Sequence, residues 1–402
     1  MQNLDSIKKA VLEIRESSIE FFRDLIRTKS MSGKEEAVVM RIKQEMEKLG
    51  YDEVMIDGFG NILGRIGNGK YKVAIDSHID TVDVGDPSLW KIDPFEAVMK
   101  DGIIYGRGAS DQKGGMASAT YAGYLIKKLN LAPEFTVWVV GSVFEEDCDG
   151  LCWQYILKNK VIEPDAVVIT EPTNLQVYRG HRGRMEISVT TRGLSCHGSA
   201  PERGVNAVYK MAPIVEGIEK LHPQLADNAF LGKGSVTISE IRSTSPSLCA
   251  VADSCSIHLD RRLTKGETEE TSVAEVRKVA GPDAEINVLE FHEPSWRGTV
   301  FPTKKYYPTW LLEEDHPLCK LAIATHEDVF GKKTEAGKWV FSTNGIATMG
   351  MFGIPTVGFG PANEQYAHAP TDQCPAEHIP QAVTYYAHML NRAADFIPFK
   401  KK

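Results

Sequence analysis

What the 402-residue chain lacks narrows its function first. It has no excess of positive charge: 46 Lys and Arg stand against 54 Asp and Glu, a formal net charge of −8. Nucleic-acid binding demands a basic face, so the composition argues against it. The basic run Lys400, Lys401 and Lys402 is short and reads as a soluble, frayed end. The seven cysteines (148, 152, 196, 249, 255, 319 and 374) are odd in number and scattered, and no second pair accompanies Cys148 and Cys152 at zinc-finger spacing. Reduced thiols in the cytoplasm are the expectation. Met1 to Lys9 contains no apolar core of the kind a secretory signal needs. The longest uncharged stretch, Trp339 to Asn363, has the length to cross a bilayer. Asn344, Gly345, Gly350, Gly353, Pro355, Gly358 and Gly360 interrupt it, so it reads as buried turns and a strand.

The apolar share of 42% and charged share of 25% are those of a soluble globular protein. At this length one oversized domain or two ordinary ones are expected. Helices are expected over Ser6–Arg27 and from a Ser32-x-x-Glu35 capping box to Gly50. Strands Glu53–Ile56, Asn61–Ile66, Lys72–Ile75, Phe135–Val143 and Ala166–Thr170 then alternate with helices over Gly114–Leu129 and Gly150–Lys158, an α/β layer with a mixed, largely parallel sheet. After Gly183 the pattern becomes strand–helix–strand–strand–helix–strand, which builds a small α+β layer with one solvated sheet face. The expected organisation is therefore a three-layer catalytic domain of residues 1–182 and 296–402, with a ferredoxin-like domain of residues 183–295 inserted into it. A helix over Pro380–Phe396 ends the chain.

Chemistry-bearing residues sit at the ends of apolar strands. In Ile75-Asp76-Ser77-His78-Ile79-Asp80, His78 and Asp80 are two apart and point the same way. A metal-bound imidazole usually donates its other N–H to a carboxylate, which suits His78 as ligand and Asp80 as its partner. Alone, His-x-Asp is common, and a capped or hydrogen-bonded surface pair is the better reading of it. Gly106-Arg107-Gly108-Ala109-Ser110-Asp111-Gln112-Lys113-Gly114-Gly115 brings Asp111 to a tight turn before a helix. The phosphate-loop pattern is absent, because Lys113 is followed by Gly114. Glu145, Glu146, Asp147 and Asp149 follow the apolar strand Val137–Val140; Glu171-Pro172-Thr173 follows Ala166–Ile169; His368 follows Thr356–Phe359. In open α/β sheets ligands gather at strand carboxyl ends. Zinc and hard divalent ions accept such a set of imidazoles and carboxylates.

As an ordered set, these motifs with His197-Gly198-Ser199-x-Pro201 resemble the co-catalytic metallopeptidase family that includes acetylornithine deacetylase, succinyl-diaminopimelate desuccinylase and glutamate-releasing carboxypeptidases. The likeness spans essentially the whole chain, and is closest to the subgroup of hydrolases linked to selenium and purine metabolism. It implies a dinuclear metal-dependent hydrolase of amide bonds in small carboxylate-bearing substrates. It further implies that Asp111 bridges two ions, that Glu146 and His368 complete one site, and that His78 and Glu171 complete the other. Glu145 would be the general base, Asp80 would orient His78, and the peptide bond after Asp111 would be cis. The inserted domain would be a lid and homodimerisation module whose His197 stabilises the oxyanion. Arg262 would grip the substrate carboxylate, with Thr343 and Asn344 beside it. Zinc is the first choice of metal, with cobalt or manganese as alternatives.

The chain departs from the family in two places. Cys249-Ala250-Val251-Ala252-Asp253 replaces an asparagine-containing segment, and Asn344 stands where relatives carry a carboxylate. Substrate identity is therefore not transferable, and a deacylase, a dipeptidase or carboxypeptidase, and a carbamoyl-amide hydrolase all stay open. So do, from other classes, a non-catalytic small-molecule binding protein on the same fold and a two-metal phosphatase, which uses similar ligands.

Overall fold

The computed structural model describes residues 3–396, so Lys400, Lys401 and Lys402 lie outside the described residues. In chain order the main elements are helices α1 (Leu4–Arg27) and α2 (Glu36–Lys48), strands β1 (Glu53–Ile56), β2 (Ile62–Ile66) and β3 (Tyr71–His78), helix α3 (Lys113–Lys128), strand β4 (Phe135–Ser142), helix α4 (Leu151–Lys158) and strand β5 (Ala166–Ile169). There follow strand β6 (Gly183–Arg192), helix α5 (Ala207–Leu221), strands β7 (Ser235–Thr244) and β8 (Ser254–Leu263), helix α6 (Glu269–Ala280) and strand β9 (Glu285–Val288). Helix α7 (Pro317–Phe330), strand β10 (Thr356–Gly358) and helix α8 (His378–Arg392) complete the chain.

The first sheet has the order β1-β2-β4-β3-β5-β10. β4, β3, β5 and β10 run parallel, and β1 and β2 are added antiparallel at one edge. Parallel strands covered on both faces read as continuous apolar runs. That is why every residue of β4 (FTVWVVGS) and β5 (AVVI) is buried. Helices α1, α3 and α8 pack on one another, and α3 also lies against β3 and β4. Its first turn comes close to the sheet because Gly115 has no side chain: a Cβ there would stand 2.2 Å from Thr170 Oγ1. The second sheet, β7-β8-β6-β9, is wholly antiparallel, and α5 and α6 close a separate hydrophobic core with its inner face. Tyr306 and Tyr307, from beyond residue 295, extend its edge by pairing with Met185 and Arg184.

Three local expectations are corrected. Ser32 and Glu35 do not form a capping box, since α2 has no side-chain cap. The Ser32 hydroxyl instead donates to Asp80 (2.7 Å), and the buried Glu35 carboxylate accepts from the N–H groups of Gly33 (2.9 Å) and Phe144 (3.1 Å). The same residue pattern thus serves two loops of the site rather than a helix end. The last helix is α-helical only to Arg392 and tightens into a 3₁₀ turn at Ala393–Phe396. Finally, the stretch Trp339–Asn363 holds a π-helical turn over Ile346–Met351 as well as β10. Among the described residues no helix is long and apolar enough to cross a membrane.

Candidate metal centre

The four parallel strands end side by side, and each leads to a titratable side chain. β3 ends on His78; β4 runs through Val143 and Phe144 to Glu145 and Glu146; β5 is followed by Glu171; β10 leads by a loop to His368. Phe144 (φ 63°) and His368 (φ 58°) both adopt the left-handed conformation, which is costly for side chains of their size and clusters at functional sites. Asp111 comes from the glycine-rich loop ahead of α3, where Gly106 (φ 152°) and Gly108 (φ 84°) make the turn. The Asp111–Gln112 peptide is cis.

That loop is anchored from behind. The buried Asp372 carboxylate accepts from Arg107 (3.0 Å) and from the N–H groups of Gly108 (2.8 Å) and Ser110 (2.7 Å). The Gln112 side-chain oxygen accepts from Thr170 (2.5 Å) and Ser77 (3.1 Å), tying the loop to β5 and β3. Lys113, also buried, donates to the carbonyls of Leu25 (2.8 Å) and Thr28 (2.7 Å).

Asp111 stands between the two imidazoles. Its Oδ1 lies 2.8 Å from His78 Nε2 and its Oδ2 lies 3.3 Å from His368 Nε2. Glu171 Oε1 is 3.6 Å from His78 Nε2, and Glu146 Oε2 is 2.9 Å from His368 Nε2. The ligand atoms of His78, Glu145 and Glu171 lie within 4.8 Å of one another, as do those of His78, Asp111 and Glu146. His78 Nδ1 faces the Asp80 carbonyl oxygen (3.1 Å), with the Asp80 carboxylate at 3.4 Å. That carboxylate accepts from the N–H groups of Glu145 (3.2 Å) and Glu146 (3.0 Å), so Asp80 sets the turn carrying two further site residues.

The electrostatics explain why such a cluster suits cations. Burial, reinforced by neighbouring carboxylates, pushes Glu145 and Glu171 well above the usual carboxylate range. Burial and then Asp111 move Glu146 up to about 7. Burial alone would lower the pKa of His78, but Glu171 and Asp111 outweigh it and hold the imidazole well above the ordinary histidine range. Hydrogen bonds to Asp111 and Glu146 move His368 up to about 10. Crowded acids of this kind require compensating positive charge. Glu145 Oε1 and Glu171 Oε2 are moreover buried without a hydrogen-bond partner among the described residues. Imidazole nitrogens, carboxylate oxygens and two unpaired buried acceptors fit zinc or a hard divalent ion.

A cavity of about 340 Å³ opens over this cluster, the size of a small-molecule site. Asp111, Glu145, Glu146, Glu171 and His368 line it, and Arg262 reaches it from the second sheet. Three of the anticipated residues are elsewhere. Asn344 is buried and fully engaged: its amide donates to Asp76 (2.9 Å) and Ser142 (3.0 Å), and its oxygen accepts from the Gly150 N–H (3.0 Å) and the Cys152 thiol (3.2 Å). Thr343 is buried against His181 (3.0 Å). Neither side chain lines the cavity, because Asp76 beneath the sheet end and His181 claim their polar atoms. His197 is exposed on the inserted domain, where its Nδ1 pairs with Ser199 (2.7 Å). The cavity also holds Asp149, Arg184 and Ser342, which the sequence reading did not select. Arg184 carried a faint signal, as an outward position of an alternating strand.

The chain's relatives are consistent with this geometry. Peptidase family M20/M25/M40 matches residues 74–392. YgeY, an uncharacterised protein of Escherichia coli K12, is 52% identical over 370 residues, 91% of this chain and 92% of that one. Aminopeptidase PepT from Bacillus cereus superposes with a TM-score of 0.73 at 19% identity, covering 94% of this chain and 99% of that one. YXEP from Bacillus subtilis, described as a dinuclear metal-binding peptidase, superposes with a TM-score of 0.70 at 15% identity, covering 98% and 100%. At these identities the two superpositions speak for the fold.

Proposed function

The chain belongs to peptidase family M20/M25/M40 and is a metal-dependent hydrolase, and from that premise we propose that it uses two divalent ions to cleave an amide bond in a small, carboxylate-bearing substrate. The observation that carries this reading is Asp111, whose two oxygens face His78 and His368 separately. His78, Asp111 and Glu171 would hold one ion, and Asp111, Glu146 and His368 the other, with zinc ahead of cobalt and manganese. When bound, the ions would polarise the amide carbonyl and acidify a water molecule.

The remaining work falls to side chains. Glu145, buried beside the cavity with Oε1 unpaired among the described residues, takes the proton of the attacking water and returns it to the departing nitrogen. Asp80 positions Glu145 and Glu146 through their backbone N–H groups and flanks His78. Arg262 is suited to a carboxylate, which its planar fork binds through two parallel hydrogen bonds. His197, exposed and outside the cavity of its own chain, is free to reach the site of a second copy through a lid-mediated dimer.

N-acyl cleavage is the first reading; peptide cleavage, for which the family is named, is the second. A reducing cytoplasm suits the seven free thiols. The test is metal analysis with a panel of N-acetyl, N-succinyl, N-carbamoyl and dipeptide substrates. Two ions per chain, with amide turnover lost on chelation and restored by zinc, are expected. One ion or none, or turnover indifferent to chelation, would overturn the reading.

A further inference from the structure

The second sheet contributes two arginines to the cavity, and they are a matched pair. Arg184 on β6 and Arg262 on β8 are direct cross-strand partners in the antiparallel ladder and both line the cavity. Like charges placed directly opposite one another destabilise a sheet. The next pair on the same face is Glu186 opposite Asp260, again alike. The ladder thus sorts its charges along the strands, cations at the cavity end and anions one step further, where alternation across the strands would have favoured folding.

Acids flank both cations. Arg184 lies 3.4 Å from Asp149 and 4.0 Å from Glu186, its guanidinium stacks over Tyr307 (4.7 Å to the ring centre), and its Nε is buried with no hydrogen-bond partner among the described residues. Arg262 meets both oxygens of Asp260, Nε to Oδ1 at 3.0 Å and Nη2 to Oδ2 at 3.0 Å, an internal pairing that a substrate carboxylate would replace. Both side chains are less than one-third exposed (22% and 30%), so their charge is only partly screened by solvent. A carboxylate offers both of its oxygens to a single guanidinium fork, so two forks side by side match two carboxylates.

We propose that Arg184 and Arg262 form a two-point anion clamp, and that the substrate of this site carries two carboxylates, one for each arginine. The inference rests on the reading that the cavity binds the amide substrate, and it adds the substrate's charge class and a specificity residue, Arg184.

The test is calorimetric binding to zinc-loaded protein carrying Glu145→Gln, using N-acetyl-L-glutamate and its near-isosteric amide N-acetyl-L-glutamine. The glutamate compound is expected to bind about tenfold more tightly or better. Adding Arg184→Met or Arg262→Met should each remove most of that preference, and Arg184→Lys should keep part of it; metal content reports whether the folded site survives. Equal binding of the two probes, or binding of neither, overturns the clamp without recourse to an arginine variant. Loss of the preference in Arg262→Met but not in Arg184→Met leaves a single anchor and also overturns it. The two readings fail separately. Amide turnover by the unmodified chain without a dicarboxylate preference sinks the clamp alone, whereas the preference without turnover of any amide sinks the hydrolase reading alone.

Discussion

At the scale of single residues, the site divides into side chains whose sequence neighbours disclose them and side chains whose role depends on distant partners. His78, Asp111, Glu145, Glu146, Glu171 and His368 each follow an apolar strand or a glycine-rich turn, and strand polarity brings them to one edge. Asn344 is the opposite case. Its local sequence suits a cavity residue, but its partners Asp76, Ser142 and Gly150 lie some two hundred positions or more away, and no local pattern shows that it turns inward to them. Ser32 and Glu35 are similar, since the capping-box pattern is the same whether the side chains meet a helix end or the loops of Asp80 and Phe144. Glu145 carries the sharpest residue-scale prediction. Gln keeps its size but cannot accept a proton, so Glu145→Gln should lower kcat by about 10²- to 10⁴-fold. Metal content by atomic absorption should stay at the level of the unmodified chain. Unchanged kcat would remove the proton-transfer role.

Elements are the scale at which the sequence was most legible. A continuous apolar run marks a parallel strand covered on both faces, as in β4 and β5, and strict alternation marks one with a wet face, as in β6 and β8. The π-helical turn at Ile346–Met351 escaped because glycines at 345, 350 and 353 signal turns, while what winds the backbone there is packing: Gly345 sits where a Cβ would be 2.3 Å from Trp310. The loop carrying Asp111 is the element on which the centre leans most. Asp372 is buried, and three of its hydrogen bonds fix Arg107, Gly108 and Ser110 immediately before Asp111. Asp372→Asn removes the charge facing the buried Arg107 and turns one acceptor into a donor beside backbone N–H groups. Breaking a buried pair on one side costs about 3–5 kcal/mol. A lower urea midpoint is therefore expected. Because the loop positions a metal ligand, affinity for zinc measured by chelator competition should fall about 10- to 100-fold. An unchanged zinc affinity would show that Asp111 is held by Gln112 and Lys113 alone.

For the whole molecule, stability against pH is a contest between buried groups of opposite sign, most of them away from the sheet edge. Burial pushes Glu35 up to about 8, Asp372 to about 7 and Asp76 to about 6. These carboxylates bind protons more readily in the folded chain, so each favours folding as pH falls through its window. Two histidines oppose them, His181 buried and His378 half-buried. Burial lowers both His181 and His378 to about 4. His181 accepts from Trp310 (2.7 Å) and from the Thr343 N–H (2.9 Å), and His378 accepts from the Ala362 N–H (3.1 Å), so each must stay neutral in the fold. Below about pH 6.5 the unfolded chain protonates these imidazoles while the folded chain does not, so their contribution is complete above that pH and is lost progressively towards pH 4. The net slope mixes both signs, and only a difference between two chains isolates one group. His378→Asn supplies an oxygen that can accept from Ala362 but cannot take up a proton in this range. Measured by urea unfolding, the gap between the variant and the unmodified chain should shift in the variant's favour by about 2 kcal/mol from pH 7 to pH 4.5. A gap that stays constant with pH would mean that His378 takes up its proton without leaving the folded state.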